Sequence, residues 1–138
     1  MNKARLIISL FVSGLVALAG LTAAAPIPNV TFTLVSGLPS TMNIGDTATV
    51  VVQVTSDQEF NFAQMLPNFQ VPGRGVIALH GGDHAKRGTT ATLQIVFTAK
   101  SSTADFPGGI VPVSVAAGTR YQGGYVASRQ FDFNVSVP

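Results

Sequence analysis

Residues 47–55, TATVVVQVT, decide the fold class because apolar side chains occupy every second position. Successive side chains of a β-strand point to opposite faces, so a period of two predicts a strand with one buried face. Residues 91–98, ATLQIVFT, repeat this pattern. The side chains predicted to face inward in the two stretches are Ala48, Val50, Val52, Val54, Ala91, Leu93, Ile95 and Phe97. Strands with one buried face usually pair antiparallel, so we expect an all-β domain.

Shorter alternating stretches surround these two strands, and turn residues separate them at intervals of about ten residues. Residues 31–35 place Phe32 and Leu34 inward. Residues 59–63 alternate again after a turn signal at residues 56–58. Altogether about seven strands are expected, which predicts an immunoglobulin-like sandwich of two antiparallel sheets.

The N-terminus has the three parts of a secretory signal peptide. Lys3 and Arg5 give a positive start, residues 6–19 form an apolar run, and small residues follow up to Ala25. Cleavage before Ala25 is favoured over cleavage before Gly20, because it leaves fewer apolar residues on the mature chain. An uncleaved anchor is the alternative, since the uncharged run approaches the length of a membrane span.

The predicted organisation is therefore a signal-peptide helix over residues 1–24 and one domain over residues 25–138. The predicted location is secreted, periplasmic or extracellular, with no membrane span after cleavage. Exported domains often contain disulfides, but this chain has no cysteine. Packing alone must hold the domain together.

The net charge of +2 lies in the signal segment, since Lys3 and Arg5 account for both units. Six basic side chains then remain against six acidic ones. Nucleic-acid binding needs a clustered basic surface, which a neutral domain of this composition does not suggest. A protein or a surface glycan is the expected partner, and nucleic acid is not.

Three stretches resemble the B, E and F strands of bacterial immunoglobulin-like modules. They are residues 45–55 (GDTATVVVQVT), 89–97 (TTATLQIVF) and 106–115 (FPGGIVPVSV). Such modules act as spacers, adhesins or enzyme accessory domains, so the resemblance implies an exported sandwich more than an activity. Many members have a tyrosine soon after the Pro-Gly pair, where this chain has Ile110. The chain has no tryptophan and no cysteine, which excludes an antibody-type domain.

The first candidate site is a pair of histidines, one just before and one within a stretch predicted as a polar loop, residues 81–88. His80, Asp83 and His84 offer two imidazoles and a carboxylate, which are suitable ligands for a divalent transition metal. A fourth protein ligand is not identified. The alternative interpretation is therefore a solvated turn whose polar side chains face water.

The second candidate site is the hairpin around Arg120, Tyr121 and Tyr125, together with Arg129. Tyrosine and arginine are enriched in binding patches, because they offer a large contact area with hydrogen-bonding ends. The loops at one end of a sandwich commonly bind partners. The alternative is that one tyrosine covers the edge of the core and the glycines only form the turn.

No nucleophile elbow and no closely spaced carboxylate pair occurs, so neither catalytic residues nor a cofactor are predicted. The resulting hypothesis is an exported, non-enzymatic immunoglobulin-like domain. It would act in binding, adhesion or structural support at the cell envelope or outside the cell. The alternatives are a metal-binding module that uses His80, Asp83 and His84, and a small carbohydrate-binding module. The second alternative is weakened by the absence of tryptophan, the usual sugar-stacking residue.

Overall fold

A computed structural model describes residues 26–68, 77–79 and 82–138 of the chain. The predicted signal peptide lies outside these residues. The described part forms strands and one short 3-10 turn. The strands are β1 (Val30–Ser36), β2 (Thr47–Asn68), β3 (Ile77–Leu79), β4 (Asp83–Ala99), β5 (Val111–Arg120) and β6 (Val126–Val135), with the turn at Pro107–Gly109. In this part of the chain no helix is long and apolar enough to cross a membrane.

The described strands belong to one antiparallel sheet, in the order β3-β4-β2-β5-β6 with β1 also paired to β2. β2 and β4 pair from Thr47↔Thr98 to Met65↔Asp83. The other side of β2 is shared, because β1 pairs with residues 51–56 and β5 with residues 62–68.

The register of β2 against β4 shifts between Thr55 and Phe60. Such an irregularity bends a strand and increases its twist, so the sheet curls at this point. We call the part with β1, β3, residues 47–56 of β2 and residues 90–99 of β4 the first half-sheet. The part with β5, β6, residues 60–68 of β2 and residues 83–88 of β4 is the second half-sheet.

The prediction of two separate sheets with about seven strands is not confirmed, since the described residues form six strands in one curled sheet. Residues 56–58 were expected to end a strand, but β2 continues through them. Residues 83–88, expected in a polar loop, form the beginning of β4 and pair with β2. Their polar side chains reflect exposure to water, while the backbone ladder with β2 makes them a strand.

The two half-sheets bury their inward faces against each other in one core. The predicted alternation of the central strands is confirmed. The largest fully buried side chains are Phe60, Phe97, Met65, Ile77, Leu93, Ile95, Val50, Val52, Val54, Val111, Val113 and Val115. Leu34 was wrongly expected inside and is 37% exposed. It lies in an edge strand where the register against β2 shifts.

The C-terminus is fastened to the sheet by Thr103, which is buried. The Thr103 N–H donates to the Val137 carbonyl over 2.8 Å, and the Val137 N–H donates to Thr103 Oγ1 over 2.8 Å. Nearby, Thr41 and Ser136 form a parallel bridge. The segment after β1 therefore crosses to the end of β6 and connects the two half-sheets at their far end.

Candidate binding groove between strands β1 and β6

Asp83 and His84 of the predicted metal site are neighbours in β4, and His80 lies outside the described residues. Consecutive strand side chains point to opposite faces of a sheet, so these two diverge. Asp83 is half-buried and His84 is exposed. Within the part of the chain that the structure describes, no three histidine, aspartate or glutamate side chains are grouped to hold a metal ion.

The carboxylate of Asp83 instead joins two distant parts of β4. Its Oδ1 accepts the His84 N–H over 2.9 Å, and its Oδ2 accepts the Gln94 N–H over 2.8 Å. Asp83 pairs with the second half-sheet at Met65, whereas Gln94 pairs with the first half-sheet at Val51. The carboxylate therefore bridges the curl on the β4 side.

The predicted hairpin site is a tight turn between β5 and β6. The Tyr121 N–H donates to the Tyr125 carbonyl over 2.9 Å, and the Gly124 N–H donates to the Tyr121 carbonyl over 3.1 Å. Gly123 and Gly124 have φ angles of 91° and 93°, a region that only glycine adopts without strain. The two glycines thus fix where the tyrosines lie.

Tyr121 is a core residue, with only 4% of its surface exposed. Its hydroxyl lies 2.7 Å from Ser56 Oγ and accepts the Thr119 hydroxyl over 3.3 Å. Ser56 gives its one proton to the Gln58 carbonyl over 2.6 Å, so the Tyr121 hydroxyl donates to Ser56. This chain of hydrogen bonds anchors the hairpin to the bend of β2.

Tyr125, in contrast, is 42% exposed. Its ring lies 5.9 Å from that of Tyr121, measured between centroids, at an angle of 50°. A tilted contact at this distance is a favourable aromatic arrangement. Tyr125 is therefore an exposed aromatic side chain with a rigid support.

The two arginines lie in different places. The Arg120 guanidinium is 5.5 Å from the centroid of the Phe62 ring, beside a depression of about 40 Å³. Arg129 Nη1 donates to the Phe32 carbonyl over 2.8 Å, and its guanidinium lies 4.7 Å from the Phe131 ring centroid. Arg129 therefore reaches from β6 to β1, while Arg120 stays on the second half-sheet.

A groove of about 630 Å³ runs between β1 and β6, and we call it the β1–β6 groove. Residues 28–32 line one side and residues 125–129 line the other. Of the four residues of the predicted hairpin site, Tyr125 and Arg129 line this groove, whereas Arg120 and Tyr121 do not. Arg129 is the one charged residue in the lining.

The rim of the groove at the start of β1 is held by hydrogen bonds to the bend of β2. Asp57 Oδ1 accepts the Asn29 N–H over 2.7 Å, and the Asp57 N–H donates to the Asn29 carbonyl over 3.1 Å. Gln58 Nε2 donates to the Pro26 carbonyl over 2.9 Å. This side of the groove is therefore fixed before any partner binds.

A polar cluster that was not singled out from the sequence lies on the outer face of β5 and β6. Asp132 Oδ1 accepts hydrogen bonds from Gln130 Nε2 over 2.8 Å and from Ser114 Oγ over 2.6 Å. These two bonds, led by that from Gln130, lower the pKa of Asp132 below its usual 3.8. Gln130 and Asp132 are two residues apart in β6, and the β5–β6 pairing brings Ser114 beside them.

No protein-family model matches the chain, and no curated protein matches it. Among solved structures, the native conformation of Escherichia coli alpha-2-macroglobulin has a TM-score of 0.47 and 18% identity, over 83% of this chain and 7% of that chain. Spo0M, the sporulation control protein of Bacillus subtilis, has a TM-score of 0.40 and 15% identity, over 83% of this chain and 51% of that one. Murine CRIg has a TM-score of 0.37 and 12% identity, over 80% of this chain and 98% of that chain.

Each of these three structures is less than 20% identical to the chain. With every TM-score below 0.5, they support no statement about function. The chain spans only a small part of the macroglobulin that it matches.

Proposed function

We propose that this protein is an exported, non-enzymatic immunoglobulin-like domain that binds a partner through the β1–β6 groove. Binding, adhesion and support of an envelope or extracellular assembly all require a surface that a partner can recognise. The groove provides an exposed aromatic ring and a guanidinium within one concave surface. Its partner is a protein or a surface glycan.

The observation that carries this proposal is the exposure of Tyr125 on a rigid support. A tyrosine that is fixed before binding loses little conformational entropy when a partner covers it. Two glycines with positive φ and the ring of Tyr121 hold Tyr125 in place. The hairpin is thus prepared for contact without further ordering.

Export and the lack of catalysis rest on the sequence. The N-terminal segment has the charge, the apolar run and the small residues of a signal peptide. The chain offers no cysteine nucleophile and no nucleophile elbow. A domain of this kind would act by holding another molecule.

Photo-crosslinking in the organism that produces the protein tests the proposal. A photoreactive phenylalanine derivative replaces Tyr125, and the control places it at Thr92, which is exposed on the first half-sheet. We expect a discrete crosslinked product from position 125 and none from position 92. The absence of a product at position 125, or the same products from both positions, would contradict the proposal.

A further inference from the structure

Both walls of the β1–β6 groove are strand edges that have no strand beside them in the described sheet. β1 pairs with β2 and β6 pairs with β5, so each keeps one outer edge. Both strands start at the bend of the sheet, since Val30 pairs with Ser56 and Val126 with Arg120. The two edges therefore run in the same direction along the groove.

The backbone groups of these edges point into the groove at alternate residues. The Phe32 carbonyl accepts a hydrogen bond from Arg129 across the groove, so the backbone groups of Phe32 and Val30 face it. The Tyr125 carbonyl is turned toward β5, where it accepts the Tyr121 N–H. By the same alternation, the backbone groups of Val126 and Ser128 face the groove.

The size of the groove suits a short extended segment. Five residues line one side, Pro28 and Asn29 before β1 and the first three residues of β1. At an extended rise of about 3.3 Å per residue, they span a length of roughly 16 Å. An added strand of about five residues would match this length. Strand addition of this kind obtains affinity from main-chain hydrogen bonds and specificity from alternate side chains.

The charge of the groove indicates which side chain such a segment carries. The Arg129 guanidinium has five N–H donors and donates to a neutral carbonyl. No carboxylate lines the groove. The ion pair found among the described residues lies elsewhere, between Arg87 and Glu59. A carboxylate would be a stronger partner for Arg129, because hydrogen bonds between two charged groups are roughly twice as strong as neutral ones.

We propose that the β1–β6 groove binds an extended acidic peptide segment of a partner protein. The segment pairs with a free strand edge and places a carboxylate on the Arg129 guanidinium. This inference rests on the proposed function and specifies the partner of the same site. A second copy of this chain, adding its own edge strand, is a different occupant that the test below distinguishes.

Selection from a phage-displayed library of random linear twelve-residue peptides on the purified protein tests the inference. Enriched peptides are then synthesised, and their dissociation constants are measured for the wild type, Arg129→Gln and Arg87→Gln. Arg87 is exposed and lies outside the groove, so it controls for the loss of one arginine. Peptides methylated at alternate backbone nitrogens test strand pairing without any change in the protein.

We expect enriched peptides to contain an aspartate or glutamate and to bind Arg129→Gln about tenfold or more weakly, with little change for Arg87→Gln. We also expect methylation to abolish binding in one of its two alternations and not in the other. Failure to enrich peptides, binding that is indifferent to Arg129→Gln, or binding that tolerates both methylation patterns would each overturn the inference. A dimer of this chain that Ser128→Pro dissociates would also overturn it, since a second copy would then occupy the groove.

The two proposals fail separately. A crosslinked product at position 125 with no peptide enrichment leaves the binding function standing and removes the peptide segment. The absence of both removes both. Because Arg129→Gln also loses a contact with β1, its folding is checked by thermal unfolding, and the methylated peptides give an answer with the unchanged protein.

Discussion

Arg129 on β6 donates a 2.8 Å hydrogen bond to the carbonyl of Phe32 on β1, which joins two edge strands that share no ladder in the described sheet. The same guanidinium also lies over the Phe131 ring, so two contacts hold the Arg129 side chain in place. This contact lies opposite the Asp83 bridge to Gln94. The curl of the sheet is therefore tied on both of its open sides.

Arg129→Gln should lower the free energy of unfolding by about 1 kcal/mol, because it removes a hydrogen bond and a cation–π contact at a partly exposed position. For a domain of this size that corresponds to a fall in Tm of about 3–6 °C. Arg87→Gln is the matched control, since its ion pair with Glu59 is exposed on both sides and contributes little. Equal Tm values for the two variants would show that Arg129 does not tie β6 to β1.

Tyr121→Phe should destabilise the protein more than Tyr125→Phe. Removal of the Tyr121 hydroxyl leaves the buried Thr119 hydroxyl without its acceptor and takes one donor from Ser56, which keeps its bond to Gln58. We expect this to cost about 1–2 kcal/mol. Tyr125 is 42% exposed as a residue, so loss of its hydroxyl should change stability by less than about 0.5 kcal/mol. Chemical denaturation measures both. A larger effect at Tyr125 would contradict the anchoring role of Tyr121.

Asp83→Asn should destabilise the curl by about 1–2 kcal/mol. The carboxylate accepts two backbone N–H groups, and an amide would turn a donor toward one of them. His84→Asn, at the exposed neighbouring position, should have little effect. Circular dichroism during thermal unfolding measures both variants.

Zinc should not raise the Tm of the wild type, because both Asp83 oxygens already accept hydrogen bonds. Differential scanning calorimetry with and without zinc measures this, with a chelator as the control. A rise in Tm with zinc that His84→Asn abolishes would support the metal site predicted from the sequence.

Asp132→Asn should lower the stability of the protein at neutral pH but not at strongly acidic pH. The bonds from Gln130 and Ser114 lower the pKa of Asp132, so the ionised carboxylate favours the folded state. This contribution is present above the ordinary carboxyl pKa near 3.8 and disappears as the pH falls through the lower folded value. The Tm of the wild type should exceed that of the variant slightly at neutral pH and equal it at strongly acidic pH. A Tm difference that grows on acidification would contradict the direction of the shift.

The mature protein should begin at Ala25. N-terminal sequencing of the protein recovered outside the cytoplasm measures this directly. Lys3→Glu together with Arg5→Glu should reduce export, since the positive start sets the orientation of the signal segment. A chain recovered with Met1 in place would contradict the predicted cleavage.

The strands and their inward faces could be predicted from sequence because burial imposes a period of two on residues such as Val50, Val52 and Val54. The continuity of β2 could not be predicted, because Ser56 and Asp57 are residue types that are typical of turns. In the structure they lie instead within the strand, where it bends. The beginning of β4 could not be predicted for a similar reason. Its polar side chains carry no apolar period, and its ladder with β2 is a long-range contact.

The groove could be predicted only in part. The residue types of Tyr125 and Arg129 indicate a possible binding role. The sequence around the two tyrosines does not indicate that Tyr121 is buried and Tyr125 exposed. The β1 side of the groove offers backbone N–H and carbonyl groups. Every residue has such groups, so the sequence does not indicate which of them face a groove. Only the placement of β1 opposite β6 shows that such groups face a concave surface.

The long ladder between β2 and β4 also has a consequence for the order of folding. Its pairs are close in sequence at Met65↔Asp83 and far apart at Thr47↔Thr98. Loop closure costs least entropy where the separation is short, so we expect the ladder to nucleate near Asp83 and to extend toward Thr98. Gln94 would join late, and the Asp83 carboxylate would receive its N–H only when most of the ladder has formed. The hydrogen bond from the Gln94 N–H to Asp83, which bridges the curl of the sheet, would thus form among the last contacts of the sheet.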